Sequence, residues 1–363
     1  MKLNFSIEYK TAWGEEIVLC LDGKRHRLEY VADGLWQGEV SRTSLKENLE
    51  YGYEVVRDGV TVRKEWGKHL LPKGLSAKTV NVNDRWMDRP ADAPFYSSAF
   101  TKGIFGRGES KSSGTFKGIC LVVNAPVVRP DEVLALAGSG KELDNWNKVV
   151  PFDDSAFPVW TLSLEAAEPF MYKLVIADRQ TLQPKAWEDG ENRIMAVIPE
   201  KNACYVEAAA EPRFSGRQWR GAGTAIPVFS LRSEDDFGVG EFLDLKKMVD
   251  WAAETGQSIL QLLPINDTTM TGTWEDSYPY NANSTFALHP QFINLPAAGV
   301  PVTKAYKEMQ AELNALDQID YEKVNNTKLE LLRKAYDKTF AKLSASKAYK
   351  AFIAANEEWL MPY

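Results

Sequence analysis

Apolar and polar residues alternate from the start of the chain, with Phe5, Ile7 and Tyr9 on one face and polar residues between them. A period of two is the strand period. Residues 17–21, 36–40 and 51–56 read as further short strands, and Asp58-Gly59 as a hairpin turn. Strands this short and closely spaced predict a β sandwich over residues 1–84. The alternation then fails. Residues 85–115 carry Arg89-Pro90-Ala91-Asp92-Ala93-Pro94 and a run of Gly and Ser, and read as a linker. Phe95, Tyr96, Phe100, Ile104 and Phe105 within it are available to dock on a neighbour.

The strand pattern returns at residue 116 and repeats the first one. Residues 119–123 answer 5–9, and 133–137 answer 17–21. Trp160 answers Trp36, residues 172–175 answer 53–56, and Trp187-Glu188 answers Trp66-Gly67. The reading is a tandem duplication, with a second sandwich over residues 116–207.

After Thr224 the period changes. Residues 225–229 form an apolar run of strand length, followed by a loop from Ser230 to Gly240. Phe242, Leu245, Met248, Val249, Ala252 and Ala253 fall at helical spacing, and Gly256 stands where a helix ends. Residues 259–265 are a second apolar run, closed by Asn266-Asp267. Strand, crossover helix and strand predict a parallel βαβ unit, covered on both faces. The right-handed crossover puts Arg232, Asn266 and Asp267 at one mouth, the side where α/β barrels do chemistry. From Thr303 on the chain reads as helix. Ala305, Met309, Leu313 and Leu316 share one stripe, Leu329, Leu332, Ala335, Tyr336 and Phe340 another, and a third helix starts at Ser346.

Composition narrows the classes. With 363 residues and 44% hydrophobic content the chain has room for several packed domains. A net charge of −7 argues against a nucleic-acid partner, and no apolar run approaches membrane-spanning length. The three cysteines are odd in number, far apart and in strand-like contexts, which predicts reduced core thiols in a cytoplasmic protein. Three scattered histidines supply neither a metal cluster nor a Ser-His-Asp set, so no metal and no cofactor are expected. Residues 106–112 look like a phosphate loop but lack the glycine before the lysine and a preceding strand.

The motifs Ser230-Leu231-Arg232-Ser233, Phe237-Gly238-Val239-Gly240, residues 262–267, Asp276-Ser277-Tyr278-Pro279-Tyr280 and residues 286–295 together resemble glycoside hydrolase family 77, the 4-α-glucanotransferases. The resemblance implies retaining transfer of α-1,4-glucan segments on a (β/α)8 barrel. It also implies that Tyr280 packs beside the scissile bond, with Asp276, Ser277, Arg232 and Asn266 as further substrate-binding residues. Physics alone says only that a βαβ unit opens a parallel fold.

The second sandwich resembles a starch-binding domain of carbohydrate-binding module family 20. Its marks are Gly138-Ser139, Leu143-Asp144-Asn145-Trp146, Trp160, Tyr172-Lys173, Trp187-Glu188 and Glu191-Asn192-Arg193. The resemblance implies that Trp146 and Trp187 stack on neighbouring sugars, whose C–H faces are apolar. Lys173, Glu188 and Asn192 then meet the hydroxyls. Asp144 stands where the family usually has glycine. Trp160, in an alternating strand, reads as core; Trp146 and Trp187, in polar loops, do not. The first copy has no Leu-x-x-Trp loop after Leu21, and Glu54 replaces the lysine. Trp66 is what remains of its stacking pair, and Trp13 lies where the family's second site often has an aromatic. Weak or no binding is expected there.

The expected architecture is thus two all-β starch-binding sandwiches followed, over residues 208–363, by the incomplete N-terminal part of a (β/α)8 barrel with helical insertions. The arrangement resembles disproportionating enzymes of plants and their bacterial relatives. Retaining transfer needs two carboxyl groups about 5 Å apart. Asp267, Glu275 and Asp276 read instead as loop carboxylates, and a complete barrel takes about 250 residues. The resemblance therefore implies catalytic acids beyond Tyr363, none in this chain, and a fragment inactive alone. The expected partners are α-1,4-glucans such as maltodextrin, starch and glycogen. The alternative is a binding module without catalysis.

Overall fold

The computed structural model describes residues 1–108 and 114–363. Glu109, Ser110, Lys111 and Ser112 of the phosphate-loop lookalike fall outside the described residues. The chain forms two compact units, Met1–Trp219 and Arg220–Tyr363.

In the first unit the strands are β1 (Lys2–Glu8), β2 (Glu15–Leu21), β3 (Lys24–Arg27), β4 (Glu29–Ala32), β5 (Leu35–Ser41), β6 (Leu49–Arg57), β7 (Val60–Lys64), β8 (His69–Leu71) and β9 (Thr79–Arg85). After the intervening segment come β10 (Gly118–Asn124), β11 (Glu132–Gly138), β12 (Val150–Pro151), β13 (Asp153–Ala156), β14 (Val159–Leu164), β15 (Phe170–Asp178), β16 (Pro184–Trp187), β17 (Arg193–Met195) and β18 (Ala203–Ala209).

The two halves pair their strands alike. β1 lies antiparallel to β5 and parallel to β9, and β10 lies antiparallel to β14 and parallel to β18. One hydrogen bond repeats as well. Trp36 Nε1 donates to Tyr9 O at 3.2 Å, and Trp160 Nε1 to Ala125 O at 2.9 Å. Both indoles are buried, which is the core role expected of Trp160.

What the sequence did not announce is that the halves share a sheet. β9 and β18 pair in parallel, so one eight-stranded sheet runs β13-β14-β10-β18-β9-β1-β5-β4. The alternation along β10 shows how it is covered. Ile119, Leu121 and Val123 enter the core of the second half, while Cys120 and Val122 enter that of the first. The β2-β6 sheet and the β11-β15 sheet therefore cover opposite faces of the shared one. Burial on both sides is why residues 119–123 read as an unbroken apolar run.

Residues 86–108 are more ordered than a linker. A 3-10 turn (Ala93–Tyr96) and a π-helical turn (Ala99–Ile104) bring Phe95 and Phe100 together, with ring centroids 5.0 Å apart. Phe100 meets Trp219 edge-on at 5.0 Å. Arg107 lies 4.7 Å from the Trp160 ring and donates to the carbonyls of Val128, Arg129 and Glu132. Residues 208–219, assigned from sequence to the C-terminal region, pack with the sandwiches: Phe214 joins the second core, and Arg217 pairs with Glu132.

The second unit opens with β19 (Gly223–Ile226), α1 (Asp244–Glu254) and β20 (Ile259–Leu262); β19 and β20 pair in parallel. The predicted strand at 225–229 is thus shorter, and a 3-10 turn (Val228–Ser230) follows Pro227. The expectation of burial on both faces does not hold here. Both strands alternate between exposed and half-buried, because a two-stranded sheet has little to shelter it.

The helices are α2 (Lys304–Asn314), α3 (Tyr321–Ala345) and α4 (Lys347–Leu360), and they carry the predicted stripes except Leu316, which lies past the end of α2. Thr303, Asp320 and Ser346 cap them by accepting the N–H of Tyr306, Lys323 and Tyr349. The core joins Phe237, Val239, Leu295, Tyr306, Leu313 and Val324. Both glycines of the Phe237-to-Gly240 motif are needed. Gly238 has φ +78, and a Cβ at Gly240 would meet the Val228 carbonyl oxygen at 2.0 Å.

Candidate functional site

Trp146 follows a 3-10 turn (Lys141–Leu143) after β11, and Trp187 ends β16. Their ring centroids are 6.5 Å apart and the planes are inclined at 42°. Trp187 is 44% exposed and Trp146 half-buried, as expected of residues outside the core. The loop carrying Trp146 is unusual. Asp144, Asn145 and Trp146 all have positive φ, at 50°, 48° and 73°. Asp and Asn tolerate that region, but an indole residue held there costs of order 1–3 kcal/mol. The Trp146 N–H donating to Gly138 O at 2.7 Å fixes the turn.

The polar residues divide. Asn192 is exposed beside the indoles' loop. Lys173 Nζ donates to Glu188 O at 2.9 Å and Gly190 O at 2.7 Å, so it clamps the loop after Trp187. Glu188 lies beneath the surface. Its carboxylate is buried, accepts the Leu174 N–H at 2.7 Å and takes Arg193 at 2.7 to 3.1 Å on both oxygens. So committed, the carboxylate holds the residue next to Trp187 against Leu174 and Arg193. Arg193 stood among the motif residues without a role; the signal for one is an arginine five positions after a glutamate.

The strand register also revises the comparison of the two halves. Tyr172 faces Arg193 across β15 and β17, and Tyr51 faces His69 across β6 and β8. Glu188 binds the Leu174 N–H, and Glu65 binds the Tyr53 N–H at 2.8 Å. So Glu65 and His69 stand in the places of Glu188 and Arg193. Gly52 then replaces Lys173 and Lys64 replaces Trp187. Trp66 is not the counterpart of Trp187, contrary to the pattern read along the sequence, because the alignment slips by two residues. His69 instead lies in a buried network. It meets Glu65 at 3.0 Å and Asp84 at 3.3 Å, and Tyr51 and Tyr53 donate to Asp84 at 3.0 and 2.6 Å.

In the second unit Asp276 is buried and organises its own loop. It accepts from the N–H groups of Met270, Thr271 and Gly272 at 3.0, 2.9 and 2.6 Å. Burial pushes its pKa up, but these N–H groups outweigh it and the net shift is downward. These hydrogen bonds shape the loop between Met270 and Asp276. The loop presents Tyr278 and Tyr280, both about 60% exposed, with centroids 5.5 Å apart. Ser277 is exposed and donates to Trp274 O at 2.7 Å.

Arg232 turns to Asp236 at 3.3 Å and Asn314 at 3.4 Å, while Asn266 pairs with Leu288 in an isolated bridge. Asp267 binds Thr269 and the Tyr363 hydroxyl. No hydrogen bond joins Arg232, Asn266 and Asp267 to one another among the described residues, so the single mouth expected of them is not assembled by contact.

Residues 119–206 match the family model for the starch binding domain, and residues 226–363 match that for 4-alpha-glucanotransferase. The two matches lie in different parts of the chain, one after the other. A curated relative, 4-alpha-glucanotransferase DPE2 of Oryza sativa subsp. japonica, is 32% identical over 398 residues, covering 99% of this chain and 42% of the rice protein. The 4-alpha-glucanotransferase of Chlamydia pneumoniae is 34% identical over 161 residues, 41% of this chain and 30% of that protein. The chain thus spans less than half the length of these relatives. A solved family 20 module of a maltotetraose-forming amylase from Pseudomonas saccharophila covers 25% of this chain and 99% of its own, at 18% identity and a TM-score of 0.21. The two indoles lie among the residues that match the starch binding domain, and the Asp276 loop with Tyr278 and Tyr280 among those that match 4-alpha-glucanotransferase. Among the described residues no helix is long and apolar enough to cross a membrane.

Proposed function

We propose that this chain holds α-1,4-glucan on the Trp146–Trp187 platform and serves an enzyme that transfers glucan segments between malto-oligosaccharide or glycogen-like acceptors. The platform is the observation that carries the reading: two partly exposed indoles, 6.5 Å apart, on loops that no core requirement explains. Apolar sugar faces stack on such surfaces, and Asn192 is free to meet hydroxyls. In the same reading residues 1–84 are a starch-binding-like sandwich that has lost this site, since Lys64 and Gly52 stand in the places of Trp187 and Lys173. Residues 220–363 open a (β/α)8 barrel, with Tyr280 beside the bond to be cleaved and Ser277, Arg232 and Asn266 near it. The three unpaired cysteines suit a reducing cytoplasm.

The binding half is tested by electrophoresis of the chain through gels containing soluble starch, where retardation supports it and free migration removes it. The catalytic half is tested on the full-length protein with maltotriose. Glucose and longer dextrins are expected, and their absence with starch retardation intact leaves the binding-module reading.

A further inference from the structure

A cavity of about 890 Å³ opens within the first unit, where the two sandwiches and the segment between them meet. Its size is that of a small-ligand site. Tyr51, Trp66 and Asp84 line it from the first half, Asn124, Val159 and Ile176 from the second. Residues 210–219 close one side. Trp66 is 42% exposed and touches Tyr96 edge-on at 5.2 Å. The strand register removes Trp66 from the place of Trp187, so no starch-binding role already described accounts for an open indole there.

The polar lining divides into two sets. Glu211 accepts the Tyr96 hydroxyl at 2.7 Å, and Asp88 accepts Trp86 Nε1 at 3.2 Å, so these acids are engaged. Arg85, Arg89, Arg213 and Gln218 make no side-chain hydrogen bond among the described residues. Open donors beside an open indole are what a polyol with an apolar face requires. The lining is also balanced in charge: Lys68, Arg217 and Asp88 are paired with Glu50, Glu132 and Arg63, which leaves Arg85, Arg89 and Arg213 with Asp84, Asp92 and Glu211. That balance disfavours an anion and suits a neutral ligand.

One wall is built onto the loop that carries the indole platform. The Asp189 N–H donates to Arg213 O at 2.8 Å, Arg193 to Ala210 O at 2.7 Å, and the Ser215 hydroxyl to Asp189 at 2.9 Å. The cavity wall and the residues after Trp187 are therefore held as one piece.

We propose that this cleft is a second carbohydrate site, taking a short neutral α-glucan segment against Trp66. The choice of α-glucan rests on the glucan reading of the platform. The test titrates maltoheptaose into the complete chain by calorimetry, in wild type and in Trp187→Ala. A weaker binding step is expected to remain in Trp187→Ala. It should weaken at least tenfold when Trp66→Ala is added, and likewise with Ala91→Trp, which keeps Trp66 and fills the exposed rim. Circular dichroism checks that each variant is folded. No residual step in folded Trp187→Ala overturns the second site, as does an unchanged step in either folded double variant. Displacement of the residual step by inorganic phosphate also overturns it and marks an anion site. If wild type itself takes no maltoheptaose, the glucan reading fails rather than the cleft alone.

Discussion

Arg193 holds both carboxylate oxygens of the buried Glu188 at 2.7 to 3.1 Å, one residue along from the indole of Trp187. The pair also fixes the Leu174 N–H and, through Arg193, the Ala210 carbonyl. The indole platform is thus set from beneath by a buried charge pair. Truncating one member of such a pair leaves an uncompensated buried charge. Arg193→Ala is expected to destabilise the second sandwich by about 3–5 kcal/mol, read as a lower urea midpoint. A change below about 1 kcal/mol would show the pair to be incidental.

Trp187→Ala removes about half of the platform. The loss is expected to be on the order of 1–3 kcal/mol of binding, the range for a buried large side chain. In affinity electrophoresis the variant should run nearly as freely in starch gels as in blank gels while its circular dichroism stays native. Undiminished retardation would remove Trp187 from the site.

Lys328 and Glu241 are both 1% exposed and lie 2.5 Å apart, with Lys328 also donating to Gln291 O and Ile293 O. Burial lowers the lysine's pKa and raises the glutamate's, each opposed by its partner. Lys328→Met should cost about 3–5 kcal/mol by stranding Glu241, and Lys328→Met with Glu241→Leu should cost clearly less. Thermal melting of the single and double variants measures the difference; equal losses would contradict it.

The His69 network gives the first sandwich a pH dependence of known sign. Burial pulls the His69 pKa down, but Asp84 and Glu65 outweigh it and the net shift is upward. Burial also raises Asp84. A raised histidine contributes stability in full below its unfolded value of about 6.5 and loses it as pH rises through the folded value. The urea midpoint of this half should therefore fall between pH 6 and pH 8, and His69→Gln should flatten that slope. A midpoint that rises over this interval in wild type would reverse the assignment.

Gly240→Ala brings a Cβ against the Val228 carbonyl oxygen at 2.0 Å, a backbone atom that cannot swing aside. Expression of this variant should yield protein whose second unit is cut early by limited proteolysis, while the sandwiches resist. Equal resistance of both units would show that the loop can move.

Periodicity was enough to read the strands, the capped helices and the repeat, because burial on one face imposes a period of two or 3.6 on any chain. It also separated Trp160, in an alternating strand, from Trp146 and Trp187, in polar loops. The register of those repeats was not legible along the chain. Matching Trp66 to Trp187 preserved residue type, whereas the strand pairing of Tyr51 with His69 and Tyr172 with Arg193 put Lys64 there instead. The roles of Glu188 and Asp276 escaped for the same reason. A carboxylate looks identical in sequence whether it faces solvent or accepts backbone N–H groups, and only the folded chain decides which.

By itself, then, the sequence determined which segments are strand or helix, which tryptophans lie outside the core, and which families the two regions resemble. Each of these rests on local periodicity or on motifs contiguous in the chain. The tertiary structure decided that β9 and β18 join the halves into one sheet, that Glu188 is buried against Arg193, and that a cleft lies where the halves meet. Those are pairings between residues far apart in sequence, and their energies come from contacts and desolvation that exist only once the chain has folded.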